Sequence, residues 1–455
     1  MKRCSSLLLA VSSLLWLGAT PTRALAESRP HYGGVLRLAM KETPQTLDPA
    51  APGAPASLSR LVFETLVALD DRGRPQPLLA TSWQSDPGSQ RWRFSLRASV
   101  SFHDGTPLDS GTVAASLRNS NPEWKVISTG DMIMIETESA TPDLPADLAL
   151  ARNSIVRRGD SAKLSGTGPF AIAQWDAGKH ATLAANEQYW GGRPFLDSVQ
   201  VDFGKNDRDQ VLSLDLGKAD VIELAPENIH RARAENRIVM SSQPEELMAL
   251  VFGRDPRSED ETHARIALAL SIDTAAVNNV VLQAGGEPTG ALLPNWLSGY
   301  AFVFAAGGNT EHARAERMQS KHLPNWTLGY DASDPIARVI AERVLLNARD
   351  VGITLQLTST GSADMRLLRT PLASSDPHVA LDELAKALQL PQPKLGNGSI
   401  SELYSAERAA LQFHRVIPLL HLRSAVALRP NVHQWNILPD GTWQVSNVWL
   451  SGERP

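Results

Sequence analysis

The chain is almost without cysteine. Its single cysteine, Cys4, lies close to the start of 455 residues and directly follows Lys2 and Arg3. Disulfides and thiolate metal sites both need cysteines in the folded part of a protein. If the N-terminal segment is removed, neither can form, and the fold must be stabilised by its hydrophobic core alone.

Long apolar runs are also lacking. Residues 7–17 form an apolar run that is well short of the about 20 residues needed to span a bilayer. The run follows the basic start of the chain and precedes the small residues Ala24 and Ala26. This order predicts a secretory signal peptide, residues 1–26, cleaved after Ala26. Cys4 lies before the apolar run and not at its end, so we expect an exported, periplasmic protein without a lipid anchor.

The chain has no excess of basic residues. It carries 44 Lys and Arg against 49 Asp and Glu, for a net charge of −5. Nucleic-acid binding depends largely on basic side chains that contact phosphates, so a nucleic-acid partner is not expected. The hydrophobic fraction of 42% and the charged fraction of 20% are those of a globular protein.

Familiar catalytic motifs are missing as well. The sequence contains no G-x-S-x-G, H-E-x-x-H, phosphate-loop or G-x-G-x-x-G pattern. The pair that most resembles a catalytic one is His103 with Asp104. Two interpretations are open: a general base of a secreted hydrolase, for which no nucleophile can be placed, or part of the tight turn that Asp104 and Gly105 favour.

Hydrophobic periodicity indicates an α/β protein. The spacing predicts strands at 35–40 and 92–96, and helices at 59–69, 262–270 and 402–414. The clearest unit is residues 326–358, where a helix begins with Asp334 as N-cap and ends at Gly352, between two alternating segments. This order predicts a βαβ unit.

A series of short sequence blocks follows along most of the chain. They are Glu64-Thr65-Leu66, Pro77-Leu78-Leu79-Ala80 leading to Trp83, Phe102-His103-Asp104-Gly105-Thr106-Pro107, Gly166-Thr167-Gly168-Pro169-Phe170, Tyr189-Trp190-Gly191-Gly192 with Pro194, Gly217-Lys218-Ala219-Asp220, and Ala264-Arg265-Ile266-Ala267-Leu268-Ala269 with Ile272-Asp273. In this order they resemble the extracellular solute-binding proteins of family 5, the peptide- and nickel-binding receptors of ABC importers.

The resemblance implies an α/β, two-lobed periplasmic binding protein fold with a hinge and an interlobe ligand cleft. The first lobe would comprise residues 27–250 and the return segment 422–455, and the second lobe residues 251–421. The chain would cross between the lobes near residues 251–253 and 418–420.

The resemblance also implies a function. The protein would bind a peptide-like or other small polar solute between its lobes and deliver it, as a monomer, to an ABC permease in the inner membrane. It would need no cofactor or metal and would catalyse no reaction, and His103 would then be a turn and packing residue. A divergent receptor that serves a sensor or has lost transport is the alternative, and a secreted hydrolase is a further one.

One expected ligand contact is missing from the sequence. Residues 364–377 align with a cleft strand and the Asp-Pro turn after it. In peptide binders of the family, an aspartate three residues before that turn holds the α-ammonium group. Here the position is Ala373, and alanine cannot pair a buried cation. Asp376 is the candidate substitute, with turn capping as its alternative role.

Three more residues are candidate ligand contacts by the same alignment. Arg366 and Arg369 lie on or beside the cleft strand and could bind a carboxylate with two hydrogen bonds. Their alternative role is that of solvent-facing arginines. Gly53 lies in a loop of small residues that is expected to face the cleft, where it leaves room and supplies no charge.

Overall fold

The computed structural model describes residues 29–159, 163–393 and 398–452, so the predicted signal peptide lies outside the described residues. Within these ranges, eleven strands form one mixed sheet. Its strands lie in the order Phe170–Asp176, His180–Ala185, Ser198–Asp202, Val35–Ala39, Val221–Leu224, Val416–Leu428, Ile238–Phe252, Met365–Pro371, Trp326–Gly329 and Leu355–Thr358, with Gly286–Pro288 also paired to Val416–Leu428.

Two long strands connect the halves of this sheet. Ile238–Phe252 and Val416–Leu428 pair antiparallel along their length, from Ile238 opposite Leu428 to Val251 opposite Val416. One end of the pair adjoins Val221–Leu224 and the other adjoins Met365–Pro371. We call the two halves the first lobe, which contains Val35–Ala39, and the second lobe, which contains Trp326–Gly329.

The first lobe contains a second, smaller sheet. Its four antiparallel strands lie in the order Ala80–Ser85, Arg91–Leu96, Met132–Glu136 and Lys125–Thr129. Short pairs of strands also belong to this half: Val67–Leu69 with Pro75–Pro77, Arg157–Arg158 with Leu164–Ser165, Val432–His433 with Trp449–Leu450, and Asn436–Ile437 with Trp443–Gln444. Trp435 and Trp443 of the C-terminal segment pack in the same core as Leu36 and Val199.

The predicted βαβ unit is confirmed in the second lobe. Trp326–Gly329 and Leu355–Thr358 are parallel neighbours, joined by the helix Pro335–Asp350. The Asp334 carboxylate accepts a hydrogen bond from the Ile336 N–H, as expected of an N-cap. Gly352 has φ +80° just after the helix, a backbone angle that favours glycine.

Helices cover both lobes. The α-helices of the described residues are Ala56–Val62, Ser110–Ser120, Leu144–Asp147, Asp207–Asp215, Ile229–Ala234, Glu259–Ser271, Thr274–Ala276, Asn295–Ser298, Thr310–Gln319, Pro335–Asp350, Pro377–Ala387 and Ile400–Leu411. Short 3-10 turns occur at Ala151–Asn153, Pro226–Asn228 and Ala301–Val303, and a π-helical turn at Val277–Val281. In the described part of the chain, no single helix has the length and apolar character of a membrane span, although the bent pair Glu259–Ser271 and Thr274–Val281 meets both criteria jointly.

Three helix predictions were wrong in their bounds. The helix predicted at 402–414 is Ile400–Leu411. The helix predicted at 59–69 is Ala56–Val62, and Val67–Leu69 is a strand. The chain leaves the helix at Phe63 because Glu64 and Thr65 are needed as buried polar groups in the following turn. The helix predicted to begin at Thr262 begins at Glu259, where Ser258 accepts a hydrogen bond from the Glu261 N–H.

Several sequence blocks meet at one buried carboxylate. Glu64 accepts hydrogen bonds from the Thr167 hydroxyl at 2.7 Å, the Tyr189 hydroxyl at 2.8 Å and the Trp190 indole N–H at 2.9 Å. Burial raises the pKa of Glu64, and these hydrogen bonds oppose the rise. Blocks that are far apart in the sequence therefore form a structural junction within the first lobe.

Candidate ligand-binding site

The carboxyl ends of the parallel strands of the two lobes approach each other. Lys41 follows the strand Val35–Ala39 in the first lobe, and Asp331 follows Trp326–Gly329 in the second. The pKa of Asp331 is lowered, first by hydrogen bonds from Ser333 and to a smaller extent by the positive charge of Lys41. The charges at the two strand ends therefore interact. Ligands of α/β sheets bind at such carboxyl edges, which makes the junction of the lobes the candidate site.

A hairpin of the first lobe touches the second lobe. Gly73 lies in the turn between Val67–Leu69 and Pro75–Pro77, with φ +73°. A Cβ atom at this position would lie 2.0 Å from the carbonyl oxygen of Ser375 and 2.8 Å from its carbonyl carbon. The two backbones are therefore in contact, and a side chain larger than hydrogen cannot fit between them.

An ion pair also joins the lobes. Arg152 of the first lobe forms two hydrogen bonds with Glu383, on the helix Pro377–Ala387 of the second lobe, and the longer of them measures 3.1 Å. Arg152 also contacts Asp147 at 3.2 Å. Burial raises the pKa of Asp147 to about 6, against the effect of Arg152, which lowers it.

Apolar side chains pack beside this ion pair. Ala146 and Leu150 of the first lobe contact Val379 of the second lobe, and Leu69 of the hairpin packs against them. The hairpin, the ion pair and this apolar cluster together hold the lobes in a closed arrangement.

We expect the Arg152–Glu383 pair to favour closure by about 1 kcal/mol, since both side chains are partly exposed. Arg152→Gln or Glu383→Gln should then lower the closed-to-open ratio about fivefold, and the double variant should lower it little further. Because Cys4 is the only cysteine and precedes the predicted cleavage site, spin labels on cysteines introduced at the exposed Gln84 and Arg349 would report the interlobe distance. Strictly additive effects of the two substitutions would contradict a coupling across the lobes.

A small cavity lies where the lobes meet. Its volume is about 60 Å³, and its wall comprises Arg60, Ala68, Leu69, Ala149, Ala373, Ser374, Ser375, Leu438, Pro439 and Asp440. Arg60 Nη2 donates hydrogen bonds to the carbonyl oxygen of Ala149 and to Asp440 Oδ2, both at 3.1 Å. Sites for drug-sized ligands usually have about 300–1,000 Å³, so the closed cavity is suited to a much smaller group.

Two larger concavities of the described residues each lie within a single lobe. One of about 570 Å³ is in the second lobe beside Ala406 and Phe413, and one of about 330 Å³ is in the first lobe beside His180 and Lys205. Neither is lined by both lobes. Of these three cavities, the 60 Å³ cavity is the one that both lobes line, and it is the candidate ligand site.

Ala373 and Asp376 occupy different environments. Ala373 lines the interlobe cavity, as its predicted position in the cleft requires. Asp376 is the N-cap of the helix Pro377–Ala387, and its Oδ1 accepts hydrogen bonds from the N–H groups of His378 and Val379 at 3.0 Å each. The structure thus gives Asp376 the capping role that was the alternative to ligand binding, although a ligand contact by this residue stays a prediction.

The two predicted arginines lie outside the cavity wall. Arg369 hydrogen-bonds to Glu246 at 2.5 and 2.9 Å and lies 3.4 Å from Asp334, so two carboxylates already neutralise its charge. Arg366 donates to the carbonyl oxygen of Gly361 at 2.6 Å and is exposed. Their predicted binding of a ligand carboxylate stays a prediction that would require Arg369 to exchange partners.

Gly53 likewise does not line the cavity. It has φ +77°, and a Cβ atom placed on it would meet no described atom within 4 Å. The backbone angle, and not a close neighbour, explains glycine here. A role for Gly53 in ligand binding stays a prediction.

His103 is confirmed as a turn and packing residue. Its Nε2 lies 2.9 Å from the carbonyl oxygen of Gly168, and its Nδ1 accepts a hydrogen bond from the Gly166 N–H at 3.3 Å. Burial lowers the pKa of His103, which favours the neutral ring that this pattern requires. Both ring nitrogens are therefore used to position the loop of Gly166 and Gly168.

Ala373 is the one residue of the cavity wall that was predicted from the sequence as a site residue, and Arg60 and Asp440 were not predicted. Arg60 is a single arginine on a mostly apolar helix, and Asp440 belongs to an Asp-Gly-Thr turn that has no functional signature. They are 380 positions apart and meet only in the folded chain. No local pattern could have joined them. In the described ranges, no group of three or more His, Cys, Asp or Glu is arranged to hold a metal ion.

Two lobes joined by two strands, with a cavity between them, define a protein of the periplasmic binding protein fold. The family model of bacterial extracellular solute-binding proteins, family 5, middle region, matches residues 74–383, and the chain belongs to this family. The resemblance recognised in the sequence is thereby confirmed.

Individual relatives are distant. The probable D,D-dipeptide-binding periplasmic protein DdpA of Escherichia coli K12 is 24% identical over 359 residues, which cover 71% of this chain and 70% of DdpA. The structure of NikA from Brucella suis in complex with Fe(III)-EDTA matches with a TM-score of 0.80 at 17% identity, covering 92% of this chain and all of NikA. DppA from Helicobacter pylori in complex with the peptide STSA matches with a TM-score of 0.77 at 18% identity, covering 92% and 99%. At these identities the structural matches establish the fold.

Proposed function

We propose that this protein is the substrate-binding protein of an ABC importer, which binds a peptide-like or other small polar solute between its lobes. It would act in the periplasm as a monomer and present the closed lobes to a permease of the inner membrane. The observation that carries this proposal is the cavity whose wall is built from both lobes, because a ligand there would stabilise the closed form.

The proposed chain organisation is a signal peptide, residues 1–26, a first lobe formed by 27–250 and 422–455, and a second lobe formed by 251–421. The core packing of the two connecting strands supports this division. Leu250 and Ile417 pack in the core of the second lobe, whereas Val426 and Leu428 pack in that of the first. Met248 already packs in the second-lobe core, which favours a first crossing a few residues before position 251.

Family members are binding proteins, and we propose that this chain also binds without catalysing a reaction. The hydrogen bonds on both ring nitrogens of His103 support this, because a general base needs a free nitrogen. If the hydrolase alternative held, His103→Ala would abolish turnover of a substrate without changing the melting curve.

Native mass spectrometry of protein purified from the periplasm tests the proposal. We expect a stoichiometric extra mass that disappears on denaturation, and its value would narrow the class of solute. A mature mass that still contained residues 1–26 would contradict the proposed export and cleavage.

A divergent receptor is the second candidate function. Ala373 and the small volume of the closed cavity favour it, since both depart from what a peptide requires. Deletion of the protein would separate the two candidates: an importer component is expected to lose uptake of its bound solute, and a sensor component is not.

A further inference from the structure

Arg60, a residue of the interlobe cavity wall, carries a hydrogen-bond donor without a partner. Arg60 Nε is buried, and within the described residues it has no hydrogen-bond acceptor. A buried donor without a partner is unfavourable, because it has lost its hydrogen bonds to water and gained none in the protein. The guanidinium group is anchored through Nη2 to Ala149 and Asp440, and Arg60 lines the cavity, so a small shift of this side chain on ligand binding would give Nε an acceptor.

The Asp440 carboxylate has an unused hydrogen-bond acceptor position. Its Oδ1 accepts hydrogen bonds from the N–H and the hydroxyl of Thr442, at 3.1 and 2.6 Å, and its Oδ2 accepts the hydrogen bond from Arg60. An ionised carboxylate offers about four acceptor positions. One position on Asp440 is therefore open to a further donor.

The two charges of the cavity wall are adjacent and cancel. Arg60 Nη2 and Asp440 Oδ2 are 3.1 Å apart, and the other wall residues are apolar or carry hydroxyl groups. A ligand that used both the open donor and the open acceptor would need its own anionic and cationic groups close together. The ends of an extended peptide are too far apart for this, whereas the ammonium and carboxylate groups of an α-amino acid are neighbours.

The cavity size leads to the same class of ligand. The volume of about 60 Å³ is well below the about 300–1,000 Å³ of sites for drug-sized ligands. A cavity this small favours a ligand of the size of a free glycine or alanine zwitterion over a longer peptide. A ligand with a net charge would also leave one charge in this enclosed space without a partner.

We propose that the closed cleft binds the zwitterionic head of a small α-amino acid, with its carboxylate on Arg60 and its ammonium group on Asp440. This inference rests on the receptor function proposed above and names its substrate class. Asp440, contributed by the return segment of the first lobe, then takes the place of the carboxylate that is missing at Ala373. The hydroxyl groups of Ser374 and Ser375 complete the contact from the second lobe.

Calorimetric titration of the full mature protein, freed of bound solute, tests this inference with glycine, acetate, methylamine and diglycine as probes. We expect glycine to bind, and acetate, methylamine and diglycine each to bind at least about tenfold more weakly. Arg60→Gln and Asp440→Asn should each weaken glycine binding about tenfold or more. Arg72→Gln is the matched control, because Arg72 is exposed in the neighbouring hairpin and does not line the cavity.

The Arg60–Asp440 pair also joins two segments of the first lobe, so its loss could destabilise the protein. Melting curves of the ligand-free variants distinguish such a loss of stability from a loss of ligand contacts. If either variant is unstable, Ser375→Ala replaces it, with a smaller expected loss of glycine affinity. Tighter binding of diglycine than of glycine would overturn the amino-acid inference and leave the receptor function intact. Equal binding of acetate and glycine, unaffected by Asp440→Asn, would also overturn it. No binding of any probe, together with no copurified mass, would overturn the receptor function itself.

Discussion

Replacing Gly73 with alanine is expected to move the lobes from the closed toward the open arrangement and to weaken ligand binding about 100-fold, or about 2.7 kcal/mol. The new Cβ would lie 2.0 Å from the carbonyl oxygen of Ser375 and 3.1 Å from the Asp376 nitrogen. Both are backbone atoms, which cannot rotate away. The clash exists only while the lobes touch, so it penalises the closed form and leaves the open form unaffected.

Gly130→Ala is the matched control for this substitution. Gly130 also lies in a hairpin turn and has φ +60°, but a Cβ atom there would meet nothing within 4 Å. Both variants therefore carry the cost of alanine at a positive φ, and only Gly73→Ala carries the interlobe clash. Spin labels at Gln84 and Arg349 would measure the interlobe distance, and titration with the copurified solute would measure affinity. Wild-type distance and affinity in Gly73→Ala would show that the hairpin contact is not needed for closure.

Local signals were sufficient to predict the βαβ unit of the second lobe. The N-cap at Asp334, the glycine at position 352 and the alternation at 355–357 depend on neighbours in the sequence. Tertiary structure did not override them because the helix Pro335–Asp350 buries the apolar face that its own spacing defines, including Ile340 and Val344.

The helix predicted at 59–69 failed for the opposite reason. Helical spacing continues past Val62 in the sequence, but Glu64 must face Thr167, Tyr189 and Trp190, which come from distant segments. Burying the Glu64 carboxylate without these donors would cost more free energy than ending the helix early. Tertiary hydrogen bonding therefore decides where the helix ends, and the end cannot be predicted from hydrophobic periodicity alone.

The candidate site was harder to predict than the fold for a related reason. Arg369 and Asp376 have conspicuous positions in the sequence, yet they hydrogen-bond to Glu246 and to the backbone of the helix Pro377–Ala387. Arg60 and Asp440 have no conspicuous position, and they line the cavity. A ligand site between two lobes is assembled from segments whose proximity depends on closure, so single-segment patterns identify its neighbourhood and not its contacts.

The largest loss of stability is expected from Glu64→Ala. Glu64 is 6% exposed and accepts three hydrogen bonds, and its removal leaves three donors without their acceptor. We expect the free energy of unfolding of the first lobe to fall by about 3 kcal/mol or more. Thr167→Val removes one of the three hydrogen bonds to Glu64, and the Thr167 side chain is fully buried. We expect this variant to lower the free energy of unfolding by about 1 kcal/mol.

Glu136→Ala is the matched control, because Glu136 also has several partners, Arg91 and Lys125, but these pairs lie at the surface. Exposed ion pairs contribute little, so this variant should melt close to the wild type. Urea unfolding followed by tryptophan fluorescence would measure the difference, since Trp190 lies at the junction itself. Equal stability of Glu64→Ala and Glu136→Ala would mean that the joined sequence blocks are held by apolar packing and not by the buried carboxylate.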